Sequence, residues 1–267
     1  ACMVEGLTQE KLSRYKVLFL IDAPALTPQE CELLRRWVRQ GGTLIASGNT
    51  SLCDLWGRSQ PDYGLADIFG LHLDRMDKGV SKFSFQNSDP RMIRVDYDKT
   101  FPYAKVRIDK AKILARWENQ SPALTVNAVD RGRVYFISAL KPGFYSVEND
   151  PLSGLYDESC PGFPQLLRQL ARRHCDTPIV EITDVPGDVE VQVRRKGDRY
   201  IIHLLDWREE RTLQGLTLKI NQPGKWKMSY PMMRSEKQSV PADHRMELQP
   251  LYVHSMIVLE PEEMNRK

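Results

Sequence analysis

The segment from Tyr15 to Gly48 constrains the fold more than any other, because it spells a strand, a helix and a second strand in order. YKVLFLID (Tyr15 to Asp22) is a short, nearly unbroken apolar run, as expected of a strand buried on both faces. After a turn at APAL, Thr27 precedes Pro28 and Glu30 follows three residues later, so an N-cap, a first-turn proline and a capping-box partner fall in order. Leu33, Leu34, Trp37 and Val38 then recur on one helical face, with Glu32, Arg35, Arg36 and Arg39 mostly on the other. Gly41 and Gly42 stop the helix, since the residue past a helix end often takes a left-handed conformation. GTLIASG (Gly42 to Gly48) reads as a second buried strand, and a strand–helix–strand passage normally makes a right-handed parallel crossover. The expected class is an α/β sheet.

In such sheets function sits at the C-terminal ends of the strands, so the loop after Gly48, NTSLCDLWG, is the first place to search. Asn49, Thr50, Ser51, Asp54 and Trp56 form a candidate ligand or interface loop, with Trp56 placed for a binding role. Cys53 could be a nucleophile, but no Gly-x-nucleophile-x-Gly elbow surrounds it, and a structural thiol is the preferred reading.

The 267 residues allow one large or two ordinary domains. With 38 basic and 35 acidic side chains, the net charge of +3 gives no argument for nucleic acid or an anionic membrane as partner. No run of about 18 apolar residues occurs, so no transmembrane span is expected, and no basic segment with an apolar signal core opens the chain. The five cysteines, Cys2, Cys31, Cys53, Cys160 and Cys175, form no CxxC pair, which favours reduced thiols and slightly favours the cytoplasm; a signal peptide on a parent protein is left open. Because the chain begins at Ala1 with ACMVEGL already resembling the end of an element, we expect a piece cut from a longer polypeptide.

Further along, PDYGLADIFGLHL suggests a short helix around Leu65 to Phe69 ended by Gly70. Short strands follow at KFSFQ, RMIRVDY, KVRI and KILARWE. Ser121 to Leu140 reads as a β-hairpin turning at Asp130, Arg131 and Gly132. The stretch from Lys141 to Gly162 is a long loop, and Pro161 to Cys175 is a closing helix that turns Phe163, Leu166, Leu167 and Leu170 inward. The first domain is thus placed at 1–176. Beyond it every segment is strand-like, with turns at Pro186-Gly187, Lys196 to Asp198, Pro223-Gly224 and Pro250, which predicts a small antiparallel sandwich over 177–267.

The chain offers little recognisable chemistry. The histidines His72, His174, His203, His244 and His254 lack metal-ligand spacing, so no metal is expected, and His203 and His254 read as packed strand residues. Neither GxGxxG nor GxxxxGK[ST] occurs, and no cofactor is expected. Glycosidases place two carboxylates across the scissile bond, and Asp54, Asp67, Asp157, Glu158 and Asp206 are candidates only in the sense that any chain rich in surface acids supplies some. Trp117, Trp207 and Trp226 read as packing residues that could alternatively stack on sugar rings.

As a whole, LSRYKVLFLIDAPALTPQECELLRRWVRQGGTLIASGNTSL followed by LADIFGL, with DRGRVYFISAL and a closing helix, resembles the middle domain of glycoside hydrolase family 42 β-galactosidases and related hypothetical glycosyl hydrolases. VEVQVRRKGDRYIIHLLDW and VHSMIVLEP look like the small β-domain that follows it. The resemblance implies a flavodoxin-like, class I glutamine amidotransferase-like doubly wound sheet that serves as a trimerisation domain, followed by a small antiparallel β-sandwich. It implies self-association and contact with a catalytic TIM barrel whose two glutamates have no counterpart here, and so no catalytic residue in this segment. Two alternatives remain at this point: a free-standing amidotransferase-like hydrolase using Cys53 or Asp54, and a carbohydrate-binding module.

Overall fold

The computed structural model describes residues 7–85, 95–140, 162–183, 185, 189–206 and 212–262. The chain divides into two compact units, Ala1–Cys175 and Asp176–Lys267.

In the first unit a short helix α1 (Gln9–Ser13) leads into strand β1 (Val17–Leu20), helix α2 (Pro28–Arg39) and strand β2 (Thr43–Ser47). Thr27 caps α2 reciprocally with Glu30: its hydroxyl accepts from the Glu30 N–H at 3.1 Å, and the Glu30 carboxylate accepts from the Thr27 N–H at 2.7 Å. Cys31, Leu34, Trp37 and Val38 form the buried stripe of α2, while Leu33 is only half-buried. Gly41, at φ +118°, turns the chain back, and β1 and β2 pair in parallel from Val17 opposite Thr43.

After β2 the chain departs from the expectation. A one-turn helix α3 (Ala66–Phe69) ends at left-handed Gly70, and the strands β3 (Leu71–Phe85), β4 (Val95–Ile108), β5 (Lys112–Trp117), β6 (Pro122–Val129) and β7 (Gly132–Ile137) follow before helix α4 (Gly162–Arg172). The sheet runs β1-β2-β7-β6-β5-β3-β4, with β1, β2 and β7 parallel and the remainder antiparallel. The doubly wound, flavodoxin-like and amidotransferase-like fold is therefore overturned. Such a layer needs a crossover helix for each parallel step. Among the described residues a single crossover helix, α2, joins one strand to its parallel neighbour, β1 to β2, and most of the remaining strands join as hairpins. LHLDRMDKGVSKFSF is one long strand rather than a helix tail and a short strand, and DYDKTFPYAKVRI continues through Pro102. The loop expected from Lys141 lies, up to position 161, outside the described residues, as do 86–94.

Of the two strands expected to be buried on both faces, β2 is, whereas β1 is an edge strand with Val17 and Leu18 half-buried and Phe19 exposed. Along β2 and β7, Leu44, Ala46, Val134 and Phe136 pack with residues of α1, α2 and α3, whereas Ile45, Tyr135 and Ile137 pack with Leu166 and Leu170 of α4. Alternate side chains thus enter two cores, and every residue of β2 is buried.

The second unit contains β8 (Val180–Thr183), β9 (Val189–Lys196), β10 (Arg199–Asp206), β11 (Thr217–Ile220), β12 (Trp226–Ser229), β13 (Gln238–Ser239), β14 (Arg245–Glu247) and β15 (His254–Pro261). They form two antiparallel sheets, β13-β12-β15-β10-β9 and β14-β11-β8. One core lies between them: Tyr200, Ile202 and Leu204 from β10, with Trp226, Met228, Ile257 and Leu259, meet Leu218 and Ile220 from the smaller sheet.

Candidate functional site

The loop that leaves β2 is tied down before it reaches solvent. The Asp22 N–H donates to Ser47 Oγ at 3.0 Å, and the Asp22 carboxylate accepts from the Asn49 N–H at 2.9 Å. Thr50 is fully buried; its hydroxyl lies 2.8 Å from the Leu20 carbonyl and 2.7 Å from the Ser47 carbonyl, and accepts from the Ala23 N–H at 3.3 Å. Ser51, also buried, sends its N–H to the Ala23 carbonyl, while its hydroxyl accepts from the Leu65 N–H at 3.2 Å. Tyr63 donates from its hydroxyl to the Gly48 carbonyl at 3.1 Å and packs edge-on against Phe69 and Phe136. Burial, reinforced by the charges of Asp62 and Asp22, pushes the Tyr63 hydroxyl far above its ordinary range, so it stays a donor. Thr50 and Ser51 therefore hold the loop's base; Thr50 is wholly enclosed, and Ser51, though buried, borders the groove beside α2.

The tip is organised by one carboxylate. Asp54 Oδ1 accepts from the N–H groups of Trp56 and Arg58, both at 2.9 Å, and the Asp54 N–H returns to the Arg58 carbonyl. This turn lifts Leu55 and Trp56 into solvent, with 66% and 82% of their surfaces exposed. Between the tip and the start of α2 lies an open groove of about 630 Å³, lined among others by Leu26, Pro28, Cys31, Arg35, Cys53 and Gln60. Arg35 is held by Asp67, with Nε 2.9 Å from Oδ2, and by the Gly64 carbonyl. Cys53 is a half-buried free thiol whose backbone bridges both Ala25 and Ser59. Burial raises the thiol of Cys31 even though the Arg35 charge opposes it. Among the described residues no histidine lines this groove, so neither thiol has an imidazole base there.

The remaining candidates scatter. Asp67 serves Arg35, and Asp206 is buried in the second unit, while Asp157 and Glu158 lie outside the described residues, as does Trp207. Among the described residues no group of three or more His, Cys, Asp or Glu side chains is placed to hold a metal ion. No helix among them is long and apolar enough to cross a membrane. Trp37 and Trp117 are core residues, the latter donating from its indole to Ser138 Oγ at 2.7 Å. The structure does join His203 to His254, whose ring nitrogens lie 3.1 Å apart on adjacent strands β10 and β15. That pairing depends on strand register, which local sequence does not display.

The match to known proteins decides the family. A family model described as the β-galactosidase trimerisation domain matches residues 7–160. The chain belongs to that family. A curated relative, β-galactosidase Pbg of Clostridium perfringens, is 24% identical over 213 residues, which is 75% of this chain and 28% of the relative. Among solved structures, the GH42 β-galactosidase Gan42B of G. stearothermophilus superposes with a TM-score of 0.66 at 14% identity, covering 95% of this chain and 33% of that one. The β-galactosidase of Bacillus circulans sp. alkalophilus gives 0.62 at 15% identity, over 92% of this chain and 33% of that one. An α-L-fucosidase isoenzyme 2 from Paenibacillus thiaminolyticus gives 0.61 at 16% identity, over 93% and 41%. At such identities the likeness is one of fold. This trimerisation-domain chain spans only about a third of the length of the β-galactosidases it matches. Within it, sequence reasoning named Asn49, Thr50, Ser51, Asp54 and Trp56 but passed over Leu55, whose exposure beside Trp56 was signalled by two apolar residues at the tip of a polar loop.

Proposed function

We propose that this chain is the non-catalytic, subunit-associating portion of a β-galactosidase-type glycoside hydrolase, with catalysis carried by a TIM barrel elsewhere in the parent protein. The match of residues 7–160 to the trimerisation domain carries the reading. The loop at Asn49 to Gly57 is the contact element: Thr50 and Ser51 anchor it, Asp54 shapes it, and Leu55 and Trp56 meet a second copy or the neighbouring barrel. An exposed aromatic beside an exposed aliphatic on a pre-ordered turn is favourable for association, because little further ordering is needed on contact. The free thiols of Cys31, Cys53 and Cys175 support a reducing compartment.

Sedimentation equilibrium of the chain tests this. Concentration-dependent self-association that weakens in a Leu55→Ser, Trp56→Ser double variant with unchanged thermal stability is the expected result. A chain that stays monomeric throughout, or a variant that associates as well as the parent, refutes it. Nitrophenyl galactoside should not be turned over by the isolated chain.

A further inference from the structure

We propose that the second unit carries a sugar-binding pocket between the β9–β10 hairpin, the turn from Gln222 to Lys225 and the end of β15, with the indole N–H of Trp226 as a donor at its floor.

The pocket encloses about 660 Å³ and is lined among others by Arg195, Asp198, Tyr200, Gln222, Lys225 and Trp226. Tyr200 and Trp226 are buried, with ring centroids 5.7 Å apart, and form its base. The Tyr200 hydroxyl donates to Gln222 Oε1 at 2.9 Å, which orients the amide and leaves its nitrogen for another acceptor. Trp226 Nε1 is buried without a hydrogen-bond partner, although a buried indole N–H normally has one. Gly224 adjoins it: a Cβ at that position would stand 3.7 Å from Nε1, in ordinary contact, and the φ of +124° is what favours glycine there.

The rim selects the ligand class. Arg195 and Lys225 are balanced by Asp198 and Glu262, so neither an anion nor a cation gains a net field. Arg195 Nε is already engaged with the Gly197 carbonyl, and Glu262 lies 3.5 Å from Lys227 Nζ. A neutral polyhydroxyl ligand uses such a rim, since each hydroxyl both donates and accepts, and its C–H face can rest on the apolar lining from Pro223 and Pro261. None of these residues belongs to the sheet-end loop, so this proposal and that of self-association stand or fall separately.

The side-chain indole resonance of Trp226, assigned by its loss in Trp226→Phe, reports on the pocket in TROSY spectra of the intact chain. Galactose and lactose serve as probes and sulfate as the control anion. The expected result is a saturable shift of that resonance with at least one sugar, and a loss of about tenfold or more in affinity in an Arg195→Ala, Asp198→Ala double variant, the scale of one or two polar contacts. The other indole resonances check that the variant is folded, and the parent titration remains decisive if it is not. A Trp226 resonance that ignores both sugars, responds only to sulfate, or moves equally in the folded variant overturns the proposal.

Discussion

The indole of Trp37 lies against the α-carbon of Gly42, so closely that a Cβ at position 42 would stand 2.5 Å from the ring's fused carbons. The last turn of α2 and the start of β2 are thereby packed with no space for a side chain. Gly42→Ala is expected to cost about 1–3 kcal/mol, the range for overpacking a close-packed core. A urea denaturation midpoint equal to that of the parent would contradict this. Gly41 differs, since its Cβ position is open and only its φ of +118° resists substitution.

Asp54 should matter to association more than to folding. Asp54→Ala removes the acceptor of two backbone N–H groups at a half-exposed turn, with a stability loss of about 1 kcal/mol. Leu55 and Trp56 then lose their fixed presentation, so self-association should weaken. Equal sedimentation behaviour of variant and parent would show that the turn plays no such part.

His174 gives the first unit an acid-sensitive contact. Burial, helped by the nearby charges of Arg133 and Arg173, lowers its pKa, and its Nε2 lies 2.9 Å from the Tyr135 hydroxyl. A histidine whose folded pKa is depressed stays neutral in the fold while the unfolded chain takes up the proton. Stability is therefore complete above the unfolded value of about 6.5 and falls as pH drops below it toward the folded pKa. The melting temperature of the parent should fall between pH 7.5 and pH 5.5 more steeply than that of His174→Gln, and parallel profiles would rule the contact out as the cause.

Asp62 also loses its contribution on acidification, but in a lower pH window. Burial raises its pKa, but the hydrogen bond with His72 at 2.6 Å and those from the N–H groups of Leu73 and Tyr63 outweigh it and hold the carboxyl below its usual range. Its contribution is present above about pH 4, the unfolded value, and is lost as pH falls through the lower folded pKa. Asp62→Asn should therefore be less stable than the parent at pH 6 by denaturant titration, with the gap closing on acidification. A gap that persists at low pH would assign the effect to shape rather than charge.

The sequence determined by itself what depends on neighbouring residues. Thr27, Pro28 and Glu30 dictate where α2 begins because a capping box is made within one turn, and the apolar runs before and after it are strands, of which β2 is covered on both faces while the edge strand β1 leaves Phe19 exposed. Asp130 likewise places the β6–β7 turn, and the sheet-end loop was located by its position after β2. Tertiary structure alone decided the rest. Whether β2 is followed by another crossover or by hairpins depends on pairings such as Leu71 with Ile108, whose free energy comes from partners far apart in the chain. The same holds for Thr50 and Ser51, polar residues that look available in a loop but are consumed by the carbonyls and N–H groups of β1's exit and α3's start. It holds too for Tyr200 and Trp226, which share a pocket floor only because β10 and β12 flank β15 in one sheet.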